Sequence, residues 1–255
     1  MEETDISGEL GSVDRVPSAL PPQPRAIFLG DADVEYTERA PDRFLAPWVQ
    51  AFWHLRCLRA TTLRVLPDGC MDIINGDLVG SLSTLLIADL QPGEVAEGIR
   101  LRPGAFTALY GVPADELTDI RVPLRDVVHP RHLLDVARDA ERPDPLAAAA
   151  MVEPDLQTLA RDTGYSPRHL RRRVLSATGH SPRKLARIHR MQALLAAGRG
   201  ESWSRRAVEF GYYDEAHMIN DIRALAGATP QTLLAHRAST PASNSLNARG
   251  RSNIR

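Results

Sequence analysis

The sequence predicts an α+β chain in which a small β-rich N-terminal domain precedes an all-α domain made of two copies of a helix pair joined by a linker helix. Three observations carry this expectation. Between residues 25 and 128 short apolar runs alternate with turn residues; between 155 and 236 apolar residues recur at helical spacing; and within that second stretch the chain repeats itself.

Residues 1–24 are rich in Pro, Ser, Gly and acid and close on Pro21-Pro22-Gln23-Pro24, too little apolar surface to offset the entropy of ordering, so a disordered leader is expected. The β-rich domain follows over 25–128. Thr61 to Leu66 alternates partly and ends in the turn Pro67-Asp68-Gly69. Cys70 to Ile74 then leads into Asn75-Gly76-Asp77, whose Asn-Gly pair tolerates positive φ and suits a tight hairpin. Leu82 to Ala88 and Gly98 to Leu101 are further strand candidates, and Pro113-Ala114-Asp115-Glu116-Leu117 has the Pro and early acids of a helix start. Residues 129–150 form a helical linker interrupted at Arg142-Pro143-Asp144-Pro145, 151–238 the all-α domain, and 239–255 a disordered tail.

Composition excludes several classes. The longest apolar runs fall far short of the roughly 20 residues of a membrane-spanning helix, and Met1-Glu2-Glu3 opens with acid where a secretory signal carries basic residues. A cytoplasmic location and no membrane partner follow as expectations. Cys57 and Cys70 are expected as free thiols, and His129 and His132 lack a third ligand at zinc spacing, so no metal and no cofactor is expected. The near-zero net charge hides polarity: residues 1–150 carry 14 basic and 24 acidic side chains, whereas 151–239 carry 14 and 8. A basic module joined to an acidic one is the footprint of a nucleic-acid binder attached to a second function.

The repeat is more specific. Ala160, Gly164-Tyr165, Ser166, His169-Leu170, Val174 and Gly179-His180-Ser181-Pro182 are matched by Ala207, Gly211-Tyr212, Asp214, His217-Met218, Ile222 and Gly227-Ala228-Thr229-Pro230. In a helix-turn-helix unit two short helices cross closely, so a small residue is needed at the crossing, and glycine reverses the backbone four residues later. Ser166 with Pro167, and Asp214 in the second copy, cap the following helix. Arg183 to Leu195, closed by Gly198, forms a linker helix of about 16 residues, roughly 24 Å long; Leu185, Ile188, Met191, Leu194 and Leu195 make its apolar stripe. Arg168, Arg171, Arg172 and Arg173 face outward from the first recognition helix with no acid among them. Such a helix can bind guanine edges bidentately and hold phosphates.

Residues 155–237 resemble the AraC/XylS DNA-binding domain, through Gly-Tyr-Ser-Pro-Arg-His-Leu-Arg-Arg at 164–172 and Gly-Tyr-x-Asp-x-Ala-His at 211–217. The resemblance implies a sequence-specific transcription regulator, activator or repressor, that places two helix-turn-helix units in adjacent major grooves and has no enzymatic activity. Arg168, Arg171 and Arg172 would reach base edges from the first unit, and Glu215, Ala216, Ile219 and Asn220 hold the matching places in the second. Asn220 and Ile222 replace the family's usual Arg and Phe, and Glu215 and Asp221 would repel phosphates, so the first unit is expected to dominate affinity. Double-stranded DNA is the implied partner, with RNA polymerase, a small-molecule effector and a second copy of the chain as further candidates. The segments 66–72 and 98–104 more loosely resemble the β-rich sensor or dimerisation domains of unknown function that precede this module, where Arg100 and Arg102 are candidates for an anionic ligand. The rival class is a thiol-dependent enzyme with a helical DNA-binding accessory domain, using Cys70.

Overall fold

A computed structural model describes residues 28–29, 33–129, 131–153, 155–198 and 202–239. Most of the expected leader and tail lies outside them. The N-terminal half is β-rich and the C-terminal half helical, the α+β arrangement predicted above.

Among the described residues, nine strands form two antiparallel sheets. The larger contains β2 (Val34–Arg39), β3 (Val49–Cys57), β8 (Val95–Leu101), β5 (Met71–Ile74), β6 (Asp77–Val79) and β9 (Arg121–Pro123), in that spatial order; the smaller runs β1 (Phe28–Leu29), β4 (Thr61–Val65), β7 (Leu86–Leu90). β5 and β6 pair around Asn75-Gly76, both at positive φ (51° and 89°), the hairpin anticipated from the dipeptide. The longest strand, β3, buries Ala51, Trp53, Leu55 and Cys57 in alternation, and a register shift between Val49 and Ala51 places Val49 in the core on the opposite face of the sheet. Trp53, Leu55 and Leu63 close the gap between the sheets. On the other side of the large sheet, α1 (Ala105–Tyr110) and α3 (Leu133–Asp139) bury Phe106, Leu109, Val136 and Ala137 against Trp48, Val49, Met71 and Leu101. The segment 114–117 makes a 3-10 turn, and α2 (Leu124–Val127) is one turn long.

The stretch 129–150, expected to be a linker, is divided between the two cores. While α3 belongs to the β-rich domain, α4 (Pro145–Val152) belongs to the helical one, burying Leu146, Ala149, Ala150 and Met151 among Leu159, Leu170, Val174 and Leu185. Residues 140–144 join α3 to α4, and this segment is itself anchored: Trp48 donates its indole N–H to the Glu141 carbonyl at 2.8 Å, and Asp144 caps α4 ahead of Pro145.

The helical domain contains α5 (Leu156–Thr163), α6 (Pro167–Thr178), α7 (Pro182–Ala196), α8 (Trp203–Glu209), α9 (Glu215–Ala226) and α10 (Pro230–Ser239). α10 runs one residue past the expected start of the tail. The second core joins Ile188, Met191, Leu194 and Leu195 of α7 to Ala207, Met218, Ile222, Leu225 and Leu233, and it also takes in Leu66 from the β-rich domain. α4 therefore stands to the α5–α6 pair as α7 stands to α8–α9, so the linker helix doubles as the first helix of the second unit.

Candidate nucleic-acid interface

Both helix pairs are built by the residues that the repeat singled out. α5 ends at Gly164 and the turn after α8 contains Gly211, each at φ 73°, a left-handed conformation that glycine alone adopts without cost. Ser166 Oγ accepts from the His169 backbone N–H at 3.3 Å, and an Asp214 carboxylate oxygen accepts from His217 at 2.7 Å. Ala207 is fully buried at the α8–α9 crossing, Ala160 half-buried at its counterpart. The extra residue of the second turn is Tyr213, 88% exposed immediately before the N-cap of α9.

On α6, Leu170 and Val174 are buried while Arg168, Arg171 and Arg172 are exposed; spacings of three and four place all three guanidinium groups on one face. No acid lies within the helix to neutralise them. Arg173 behaves differently. Its guanidinium sits 2.9 Å from the Asp144 carboxylate at the start of α4 and 5.1 Å from the centre of the Tyr165 ring, which commits it to holding α6 against α4.

On α9, Ala216 and Asn220 are exposed, Glu215 and Ile219 half-exposed. Glu215 accepts a 2.6 Å hydrogen bond from Ser204 of α8, which draws its charge toward that helix, and Ile219 packs on the second core. Asp221, expected to repel phosphate, is instead buried and paired with Arg187 of α7 at 2.5 Å, so its charge is neutralised inside the domain. Arg173 and Asp221 occupy equivalent positions, 48 residues apart. Each anchors the second helix of its pair to the helix preceding the pair, with the charges exchanged. Aligning the two copies and asking why one position carries opposite charges would have found this pairing. Arg223, exposed one turn beyond Asn220, was also missed; its signal is the shared helical face.

Residues 159–236 match the family described as Helix-turn-helix domain, of the AraC type, and residues 37–123 match the Domain of unknown function (DUF6597). The C-terminal part of the chain is an AraC-type helix-turn-helix domain, preceded by a domain of unknown function. No curated protein and no solved structure matched it. The AraC-type match makes the chain a DNA-binding transcription regulator, and among the described residues no helix is long and apolar enough to cross a membrane.

The DUF6597 domain does not present an anion site at Arg100 and Arg102. Arg100 is 3% exposed and enclosed by carboxylates of Glu38, Asp68 and Asp72 at 3.4 to 3.5 Å, so its charge is already spoken for. Arg102 donates to the Ala46 carbonyl at 2.8 Å and likewise serves the local backbone. Cys70 lies in the same buried cluster with its thiol directed at Gln50 Oε1 (3.1 Å), and burial with the nearby Asp68 charge pushes that thiol well above the usual range. A nucleophilic cysteine requires the opposite shift.

Proposed function

We propose that the protein is a sequence-specific regulator that lays α6 and α9 into adjacent major grooves of duplex DNA, with the first unit supplying most of the affinity. The observation that carries this reading is the acid-free face of Arg168, Arg171 and Arg172 on a capped, well-packed helix. A solvated helix face of ordinary composition would intersperse acids at i+4. The second unit offers Ala216, Ile219, Asn220 and the added Arg223, a face with one cation, where Asn220 suits adenine. α7, 15 residues and so about 22 Å long, spaces the units on a duplex whose groove repeats at about 34 Å.

Arg171→Ala or Arg172→Ala should cost about 1–3 kcal/mol on a duplex recovered by selection from a randomised pool, and should relax base choice at the contacted position. Arg173→Ala should instead lower the melting temperature while leaving the order of base preferences intact, because it breaks the pair with Asp144. Quantitative footprinting of the three variants checks both statements. Base preferences unchanged in the Arg171 and Arg172 variants would remove α6 from the interface.

Control of this binding by an effector at the N-terminal domain belongs to the same proposal. Its support is the direct packing of that domain on the helical one: Gln192 of α7 donates to the Pro67 carbonyl at 2.7 Å, and Leu66 lies in the core of the second unit.

A further inference from the structure

Both recognition helices end against the DUF6597 domain. α6 stops at Gly179 and α9 at Gly227, and the last carbonyls of a helix need donors that the helix itself cannot provide. At α6, the Thr118 hydroxyl donates to the Gly179 carbonyl at 3.1 Å, and the Thr107 hydroxyl lies 3.3 Å from the Ser176 carbonyl. At α9, the Leu85 backbone N–H donates to the Leu225 carbonyl at 2.9 Å, and the Leu85 side chain packs on the second core. Four residues before Leu85, the buried Ser81 hydroxyl meets His180 Nε2 at 2.8 Å, two residues past the end of α6. A single segment, Ser81 to Leu85, therefore touches the ends of both helices.

That segment is short and braced. Five residues span at most roughly 14 Å between their first and last Cα atoms. Ser83 donates its backbone N–H to the Asp119 carboxylate at 2.6 Å, Asp119 donates back to the Ser81 carbonyl at 3.2 Å, and Gly80 donates to the Ile120 carbonyl at 2.9 Å. A Cβ at Gly80 would stand 1.6 Å from the Leu117 carbonyl oxygen, so the backbones meet there with no room for a side chain. Thr118, which holds α6, belongs to the same bracing strand of chain. α7 packs into both units, through Leu185 in the first core and Ile188 to Leu195 in the second, and so links them along one line. Ser81–Leu85 adds a second link away from that line, which restrains rotation about it.

We infer that Ser81–Leu85 is a strut that fixes the separation and angle of α6 and α9, so that the domain of unknown function sets the half-site spacing accepted by the helical domain. The inference rests on the proposed reading in which both helices enter the duplex. Ser81, Leu85 and Thr118 are positioning residues and touch no DNA themselves.

The test uses the full-length protein with Ser81→Ala/Leu85→Ala, and Ser81→Ala alone as the milder variant. Spin labels at Asp162→Cys and Glu209→Cys, both exposed and one in each unit, report the distance between the units, since Cys57 and Cys70 are buried and do not label. The expected result is a narrow distance distribution that broadens in the double variant. On selected duplexes, affinity for two half-sites should fall about tenfold while affinity for a single half-site changes less than about twofold, because only the tethering of the second unit is weakened. The penalty for inserting one base pair between half-sites should shrink in parallel. An unchanged distance distribution in both variants overturns the strut; a broadened one with the wild-type spacing preference overturns its role in site choice. If the wild-type protein prefers no duplex, the DNA reading fails, and the distance measurement still decides the strut.

Discussion

Arg100→Met is expected to destabilise the β-rich domain by about 3–5 kcal/mol at neutral pH, the cost of leaving buried charge without its partner. The side chain of Arg100 is 3% exposed, with Glu38, Asp68 and Asp72 around it at 3.4 to 3.5 Å. Burial raises the Asp68 carboxyl above its ordinary value even with the guanidinium present, and removal of that cation takes away the largest opposing influence. Trp53 donates its indole N–H to Asp72 at 2.7 Å, so its fluorescence should report the loss directly in a urea titration. Arg100→Met/Asp68→Asn should regain part of the stability, because one of the stranded charges is gone. A single variant as stable as the parent at pH 7 would mean that the cluster is not held by its cation. The same experiment separates a structural role from ligand binding, which would weaken binding and leave folding alone.

Acidification is expected to loosen the joint between the domains. Burial, with the Lys184 charge nearby, lowers the His180 imidazole to about 4, against a partial opposing pull from Asp119. At neutral pH the ring is uncharged both folded and unfolded. Below about 6.5 the unfolded chain takes up a proton that the folded chain refuses until about pH 4, so the stabilisation held above that window is lost as pH falls through it. With 1.36 kcal/mol per unit the loss comes to about 2 kcal/mol by pH 5 and about 3 kcal/mol at completion. Burial lowers His189 also, which adds in the same direction, so the comparison requires His180→Gln. That variant should be less stable at pH 7 and lose less on going to pH 5. Chemical denaturation at both values checks it, and identical pH slopes for parent and variant would remove His180 as the cause.

The helical domain was largely legible because its determinants are local. Ser166, Asp214, Gly164 and Gly211 act within a few residues of themselves, so their types dictate the turns and caps that the structure contains. The Asn75-Gly76 hairpin was legible for the same reason. β3 carried a readable alternation that was overlooked, because its polar positions are aromatic or long-stemmed side chains, Phe52 and His54 among them, that blur the period. β2, with only Val34 and Tyr36 half-buried among its six residues, pairs with β3 along six positions, and nothing local announces it. The candidate face divided along the same line. Exposure of Arg168, Arg171 and Arg172 follows from helical spacing, whereas the capture of Arg173 by Asp144 and of Asp221 by Arg187 depends on residues 29 and 34 positions away.

Sequence alone determined that two capped helix pairs of the AraC type stand at the C-terminal end and that the first carries an unopposed row of arginines, since caps, turns and helical faces are set by neighbours within about a turn. Tertiary structure decided which charges remain available and where the domains meet. Arg173, Asp221 and Arg100 are spent on partners distant in sequence, α4 is drawn into the helical core, and Ser81–Leu85 reaches the ends of both recognition helices. Each of those outcomes comes from burial, which makes an unpaired charge or carbonyl costly and so selects partners by proximity in space.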